Sequence, residues 1–162
     1  MVSNATQWVR ERLATAPAIY GLVVYEVLIA ANSDEPEDSA LEVMGWAMIA
    51  LVAFYLAHVF AEVVARHGAA PLGVAIRRGF VHSAGMLYAA VLPTIAMLVC
   101  AIAGLSGADA SDWAMLVGLV VLAFLGYQAT AERGRPVWAR LLAAAATAVI
   151  GLLIMVIEYA VH

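Results

Sequence analysis

The sequence predicts an all-α membrane protein, a polytopic bundle of five transmembrane helices with the N-terminus inside and the C-terminus outside. The first observation is composition, since 65% of the 162 residues are apolar and 12% are charged. Soluble domains average about 45–50% apolar residues and about 25% charged residues. The second is that the apolar residues form long runs separated by short charged segments. The third is that the basic residues, all of them arginine, recur at every second boundary between these runs.

Composition also restricts the kinds of binding partner that the chain can have. A chain this small cannot bury so much apolar surface in its own core, so the lipid bilayer is the expected partner. The formal net charge of −4 argues against nucleic acid, which selects basic surfaces. The single cysteine, Cys100, excludes an internal disulfide and a multi-cysteine metal site. Abundant alanine and arginine without lysine indicate a GC-rich bacterial source, and therefore the bacterial cytoplasmic membrane.

The whole chain, residues 1–162, is predicted to form one transmembrane domain with a short interfacial helix at its start. Residues 1–13 contain Trp8, Arg10 and Arg12, a composition typical of a helix lying at the headgroup level rather than of a signal peptide. The five predicted spans then cover residues 14–31, 41–65, 79–104, 113–131 and 137–160.

Local signals set several of these boundaries. Ser39 and Glu42 fit a capping box at the start of the second span. Residues 66–78 form a basic connection, and Pro93 predicts a kink near the middle of the third span. Asp112 is the expected N-cap of the fourth span, and Pro136 opens the fifth.

The charges predict the orientation. The acidic loops at 34–42 and 109–112 fall on one side of a five-span arrangement, and every arginine falls on the other. The positive-inside rule places the arginine-rich side in the cytoplasm. The arginines are Arg10, Arg12, Arg66, Arg77, Arg78, Arg133, Arg135 and Arg140.

A histidine and a glutamate share one face of the second span. His58 and Glu62 are four residues apart, so they are neighbours on a helix. His82 in the third span and Gln128 in the fourth are expected at similar depth in the inner half of the membrane. If these helices pack side by side, the four side chains converge on one pocket.

Three interpretations of this inner group remain open. His58 and Glu62 can relay protons, because imidazole titrates near neutral pH. His58, Glu62 and His82 can instead hold a divalent metal, or the two histidines a b-type haem. The structural alternative is that Glu62 forms an ion pair with Arg66, four residues further on.

Two further carboxyl groups belong to the outer half. Glu26 lies about five residues from the outer end of the first span, among apolar residues, and Glu158 lies near the outer end of the fifth span. A carboxyl group at the depth of Glu26 must face protein, water or a partner, or be protonated. We therefore expect Glu26 to be functional and, where the two helices approach, to lie near Glu158.

Rows of small residues predict close helix packing. One row, on the fifth span, lies on the side of Glu158, and the other, on the third span, on the side of His82, so both side chains are expected to point into the bundle. Five short helices enclose little space, so a homo-oligomer or a membrane partner protein is also expected to pack on these rows. The rows consist of Ala143, Thr147 and Gly151, and of Ala89, Pro93 and Ala96.

The stretch from Phe54 to Glu62, Phe-Tyr-Leu-Ala-His-Val-Phe-Ala-Glu, resembles a family of small uncharacterised actinobacterial integral membrane proteins. Those proteins similarly carry Leu-Ala-His-Val-aromatic-Ala in the second span, then a basic connection, and end in an apolar span with a terminal histidine, here His162. The resemblance implies no activity. Its pattern does not include Glu26 or Glu158.

The leading functional hypothesis is a proton- or ion-handling channel or transporter. His58 and Glu62 would be the inner titrating pair, with His82 as a third member and Glu26 as the outer carboxyl group. The alternatives are a non-catalytic accessory subunit and a metal- or haem-binding membrane protein. The sequence lacks a phosphate-binding glycine loop, a Gly-x-Ser-x-Gly elbow and His-Glu-x-x-His, and we do not expect an enzyme.

Overall fold

The computed structural model describes residues 15–32, 39–66, 68 and 71–161. Within these residues the chain is an all-α bundle without strands, which confirms the predicted fold class. The interfacial helix predicted for residues 1–13 and the acidic residues 33–38 lie outside the described residues. The helices are α1 (Ala16–Ala30), α2 (Ala40–Ala65), α3 (Leu72–Ser83), α4 (Gly85–Ile102), α5 (Gly107–Ala131) and α6 (Val137–Val161).

Four stretches of helix are long and apolar enough to cross a bilayer: Ala40–Ala65, Leu72–Ile102, Gly107–Ala131 and Val137–Ile157. Their outward surfaces carry many large exposed apolar side chains, as expected of helices that face lipid. The chain is therefore a multi-pass membrane protein. Helix α1 has 15 residues, fewer than the roughly 20 that a span needs, so its role as a fifth span stays a prediction.

Helix α1 occupies the centre of the bundle and packs against each of the other helices. Leu22, Tyr25 and Ile29, which lie on one face of α1, are completely buried. Gly21 lets α1 approach α4 closely, because a Cβ atom there would lie 2.5 Å from the Cα atom of Met86. Helix α1 is thus the shortest of the apolar helices and also the most completely buried.

The third predicted span begins earlier than its sequence suggested. The prediction placed it at residues 79–104, but helix starts at Leu72 and is interrupted by a single turn residue, Ala84. Arg77 and Arg78 are therefore helical and not part of a connection, which corrects the prediction. Charge marked them as loop residues, but arginine has high helix propensity and its long side chain reaches water from a helix end.

Pro93 lies inside α4, and the helix continues through it. The span is interrupted at Ala84, where the backbone angles are still those of a right-handed helix (φ −56°, ψ −25°), and the predicted kink at Pro93 stays a prediction. The hydroxyl of Thr94 lies 2.7 Å from the carbonyl oxygen of Ala90, one turn back, beside the position where proline provides no N–H donor.

Two serine caps define one end of the bundle. Ser39 and Glu42 form the predicted capping box at the start of α2. Helix α5 begins at Gly107, and its N-cap is Ser106, whose hydroxyl accepts from the Asp109 N–H at 3.1 Å. The prediction of Asp112 as N-cap is therefore wrong. Ser106 forms the cap six residues earlier, so Asp112 lies within the helix.

The arginines of the described residues gather at one end of the bundle. Ser39 and Ser106 pair through an isolated antiparallel bridge, so α2 and α5 start side by side. We call this the serine end. The opposite end, where Arg66, Arg77 and Arg78 lie, is the arginine end. The positive-inside rule would place the arginine end in the cytoplasm, and this orientation stays a prediction.

Helices α5 and α6 meet along the small-residue row that the sequence indicated. A Cβ atom at Gly126 would lie 2.6 Å from the carbonyl oxygen of Ala143, and one at Gly151 would lie 3.1 Å from a methyl group of Leu122. The Thr147 hydroxyl lies 2.8 Å from the Leu122 carbonyl oxygen, to which it donates a hydrogen bond across the interface. This row is a packing seam within the chain, as the first of the two predicted rows implied.

Thr147→Val is expected to destabilise the bundle by about 0.5–1.5 kcal/mol, because it removes this interhelical hydrogen bond without changing the side-chain shape. Thr130→Val is the matched control, since the hydroxyl of Thr130 contacts only carbonyl groups of its own helix. Unfolding in mixed micelles of dodecyl sulfate and a mild detergent would measure both. Equal effects would show that the contact between α5 and α6 does not depend on Thr147.

Candidate functional site

Glu26 is the most deeply buried charged residue that the structure describes. Its side chain is 1% exposed, on the central helix α1. The Oε1 atom has no hydrogen-bond partner within the described residues. Buried polar atoms in native proteins are almost always paired with protein or with ordered water. Glu26 is therefore the exceptional polar group of this core, and it was one of the candidates from sequence.

Two glycines form the notch that holds the Glu26 carboxyl group. A Cβ atom at Gly118 on α5 would overlap Oε1 and would lie 2.9 Å from Cδ and 3.2 Å from Cγ. A Cβ atom at Gly151 on α6 would lie 3.4 Å from Oε2. The carboxyl group therefore lies between two helix backbones, in space that only glycine leaves open at Gly118. We call Glu26, Gly118 and Gly151 the glutamate notch.

The glutamate notch lies near the middle of the long helices. Gly118 is 11 residues from the start of α5, and Gly151 is 10 residues from the end of α6, both at the serine end. At 1.5 Å per residue these are about 16 Å and about 15 Å, close to half of a roughly 30 Å hydrocarbon layer. The position of Glu26 in the outer half of the membrane, expected from the sequence, stays a prediction.

Glu158 was the predicted neighbour of Glu26. It belongs to the last turns of α6, seven residues beyond Gly151 in the direction of the serine end. Its side chain lies outside what the structure describes, so the predicted approach of the two carboxyl groups stays a prediction.

Tyr25, the residue before Glu26, belongs to a network of hydroxyl groups. Thr94 Oγ1 on α4 is 2.9 Å from Tyr25 Oη and 3.7 Å from Met48 Sδ on α2. The network ties three helices together, and Tyr25 is completely buried. Sequence reasoning did not identify it. The available signal was a threonine inside a buried span, where its hydroxyl can bond the carbonyl group one turn back and meet polar groups of neighbouring helices.

Ser83 carries the second unpaired buried oxygen in the described part of the chain. Its side chain is buried, and Oγ has no partner there. Ser83 ends α3 immediately before the turn at Ala84, and it is one turn from Met86, which packs against Gly21 of α1. Nothing in the sequence singled it out, because its significance depends on the interruption between α3 and α4.

The inner group predicted from the second span is only partly assembled. Glu62 pairs with Arg66, with Arg66 Nε 2.7 Å from Glu62 Oε1, which confirms the structural alternative for this residue. His58 is half-buried, its ring centroid 6.3 Å from that of Tyr20. His58 and His82 are both within electrostatic range of Glu62. The three groups therefore share a region at the arginine end, without forming an enclosed pocket.

His82 is exposed, so the expectation that it points into the bundle is wrong. That expectation carried the helical phase of Ala89, Pro93 and Ala96 back to His82. Ala89 and Pro93 are buried, but α3 packs mainly on α2, so the same face is left uncovered at the level of His82.

Gln128 is half-buried in the last turn of α5. No hydrogen bond joins it to His58, Glu62 or His82 within the described residues. Its predicted membership of the inner group therefore stays a prediction.

The described residues contain no group of three or more His, Cys, Asp or Glu side chains arranged to hold a metal ion. His58, Glu62 and His82 meet around Glu62 but not as a ligand set, and Cys100 is buried on α4. The metal and haem hypotheses stay predictions.

Chemically, the glutamate notch is one carboxyl group at mid-depth, closed by two glycine backbones and carrying an oxygen free to bind a proton, a water molecule or a cation. The Glu62–Arg66 pair at the arginine end already satisfies its own charges. The notch is therefore the candidate site that the geometry favours. No protein-family model, curated protein or solved structure matches this chain.

Proposed function

We propose that this membrane protein conducts or exchanges protons or small cations, with Glu26 as the central ionisable group. The observation that carries the proposal is the buried Oε1 atom of Glu26, which has no partner among the described residues. The proposal keeps the function class expected from the sequence and moves its centre from the His58–Glu62 pair to the glutamate notch.

A buried carboxyl group without a partner lowers the free energy of unfolding. An unsatisfied buried polar group destabilises a fold by about 1–3 kcal/mol, and an unpaired charge by more. An apolar residue at position 26 would avoid this penalty, since Leu22, Tyr25 and Ile29 already form an apolar face around it. A carboxyl group within a membrane bundle is a functional candidate by default, and among the described residues no hydrogen bond to Oε1 accounts for it.

The proposed route uses water at the unpaired oxygens. Buried polar atoms that lack a protein partner are commonly satisfied by ordered water, which makes about three hydrogen bonds. Glu26 Oε1 and Ser83 Oγ are the two such atoms in the described residues. We assign one water site to each atom, and these two sites are the steps of the proposed route within the described residues.

The proposal also includes the enzyme class, the location and the partners expected from the sequence. The activity involves no covalent chemistry, so we do not propose an enzyme. The bacterial cytoplasmic membrane stays the proposed location. Helix α6 packs on α5 and α1 and is otherwise exposed. The sequence predicted that a second copy or a membrane partner protein packs on the small-residue rows. Since α5 covers the row on α6, the proposal places this partner on the outer face of α6.

The test is ion flux in proteoliposomes that contain a pH-sensitive dye, driven by a potassium gradient with valinomycin. Wild-type protein is expected to acidify or alkalise the lumen well above empty liposomes, and Glu26→Gln to fall to the background, because the amide cannot ionise. Repeating the assay with sodium and potassium as the only permeant cations separates proton from cation movement.

Glu62→Gln run in parallel tests the sequence-based alternative with the same chemical change. Glu62 already has Arg66 as its partner, so most of the flux is expected to remain. Flux lost only in Glu62→Gln would return the site to the inner pair. Wild-type flux equal to that of empty liposomes would overturn the proposal and favour the accessory-subunit alternative.

A further inference from the structure

A basic cleft lies at the arginine end, apart from the glutamate notch. It encloses about 300 Å³ and is lined by Arg66, Arg77, Arg78, Val81 and His82. Arg66 reaches it from the end of α2, and the other four residues belong to α3. The cleft exists because α3 starts at Leu72, so that two arginines stand on its second turn facing the end of α2.

The charge of the cleft is only partly balanced. Its three arginines carry three positive charges, and Glu62 pairs with Arg66 alone. The three arginines and Glu62 together carry a net charge of +2. This count includes neither His82 nor any lipid. Within residues 15–32, 39–66, 68 and 71–161, no salt bridge engages Arg77 or Arg78, and both are exposed. Two guanidinium groups on adjacent residues are therefore available to an anion.

Guanidinium groups favour oxyanions of one geometry. Arginine presents a planar fork of N–H donors that matches a phosphate or a carboxylate through two parallel hydrogen bonds. Clusters of arginine at the end of a transmembrane helix bind anionic lipid headgroups, and basic pockets between such helices do so as well. Phosphate is thus the ligand chemistry that this cleft fits.

The position of the cleft indicates where that phosphate comes from. It lies near the arginine end of Leu72–Ile102, a stretch of helix long and apolar enough to cross a bilayer. Val81, which is exposed, lines the cleft itself. A free phosphate ion would make no use of this apolar residue. The acyl chains of a phospholipid would cover it and run along the apolar helix beyond it while the headgroup occupies the cleft.

We propose that the cleft binds the phosphate of an anionic phospholipid, with Arg77 and Arg78 as its principal ligands and Val81 beside its acyl chains. Arg66 adds a third positive group, held in place by Glu62. The lipid would anchor α3 at the membrane surface and hold it against the end of α2. The proposal is independent of any role for Glu26.

The test is native mass spectrometry of the full-length protein in a mild neutral detergent, with phosphatidylglycerol added stepwise. Wild type is expected to bind a first phosphatidylglycerol in preference to phosphatidylcholine. The double variant Arg77→Gln/Arg78→Gln is expected to bind it roughly tenfold more weakly, because two charge-assisted contacts are lost. Single Arg77→Gln should give an intermediate affinity.

Arg133→Gln/Arg135→Gln is the matched control, because it removes the same charge from the connection between α5 and α6, outside the cleft. It should retain the wild-type affinity. Equal losses in both double variants would show diffuse attraction to the surface and overturn the site. Helical circular dichroism of each variant in detergent confirms that it is folded before the affinities are compared.

An inorganic phosphate arm separates the lipid from a free anion. Phosphate at the same concentration should neither bind measurably nor displace phosphatidylglycerol, because it lacks the acyl chains. Binding of inorganic phosphate that depends on Arg77 and Arg78, with no preference for phosphatidylglycerol over phosphatidylcholine, would overturn the assignment to a lipid.

Discussion

Gly118→Ala is expected to abolish flux and to lower the free energy of unfolding by about 1–3 kcal/mol, the usual range for overpacking a tight core. The added methyl group would overlap Glu26 Oε1 and would lie 2.9 Å from Cδ and 3.2 Å from Cγ. The carboxyl group is the flexible end of its side chain and can rotate, but Gly151 on α6 limits the other side. The displacement should therefore impair flux more than stability.

Gly45→Ala is the matched control. Gly45 also lies inside a long helix, α2, and a Cβ atom there meets nothing within 4 Å. Both substitutions gain the same helix propensity, up to about 1 kcal/mol in favour of alanine. The difference between the two variants therefore isolates contact with the carboxyl group. Flux assays and detergent unfolding measure it, and a Gly118→Ala protein with wild-type flux would show that the glutamate notch does not hold the working group.

Features that depend on neighbours in the sequence could be predicted from it. The apolar runs predicted the helical bundle, because helices of this length and composition are stable only with lipid around them. Ser39 and Glu42, and likewise Glu62 and Arg66, interact across one turn of a single helix, so their spacing alone predicted their contacts. The burial of Glu26 followed from its apolar neighbours in α1.

Features that depend on which helices meet could not be predicted. Gly118 and Gly151 are far from Glu26 in the sequence, and their role is visible only where α1, α5 and α6 touch. The prediction for His82 failed for a related reason, since α3 packs mainly on α2 and leaves uncovered the face that α4 buries against other helices. Local pattern fixes the face of a residue within its own helix, whereas a site requires the relative rotation of several helices.

Glu26→Met is expected to raise the free energy of unfolding by about 1–3 kcal/mol while abolishing flux, because it replaces an unsatisfied buried carboxyl group with an apolar side chain of similar length. Methionine is unbranched and adaptable, so it can follow the path of the glutamate between Gly118 and Gly151. Stability and activity would then change in opposite directions, as is common where a functional group strains its surroundings.

Glu26→Gln separates the two effects of this substitution. Glutamine keeps the shape of glutamate and still presents polar atoms to a site whose Oε1 position has no partner in the described residues, so it should lose flux without the gain in stability. Unfolding in mixed detergent micelles, with flux measured on the same preparations, would compare the three proteins. A Glu26→Met protein at least 1 kcal/mol less stable than wild type would mean that the carboxyl group is paired in the assembled protein, and that its role is to hold helices or subunits together rather than to move ions.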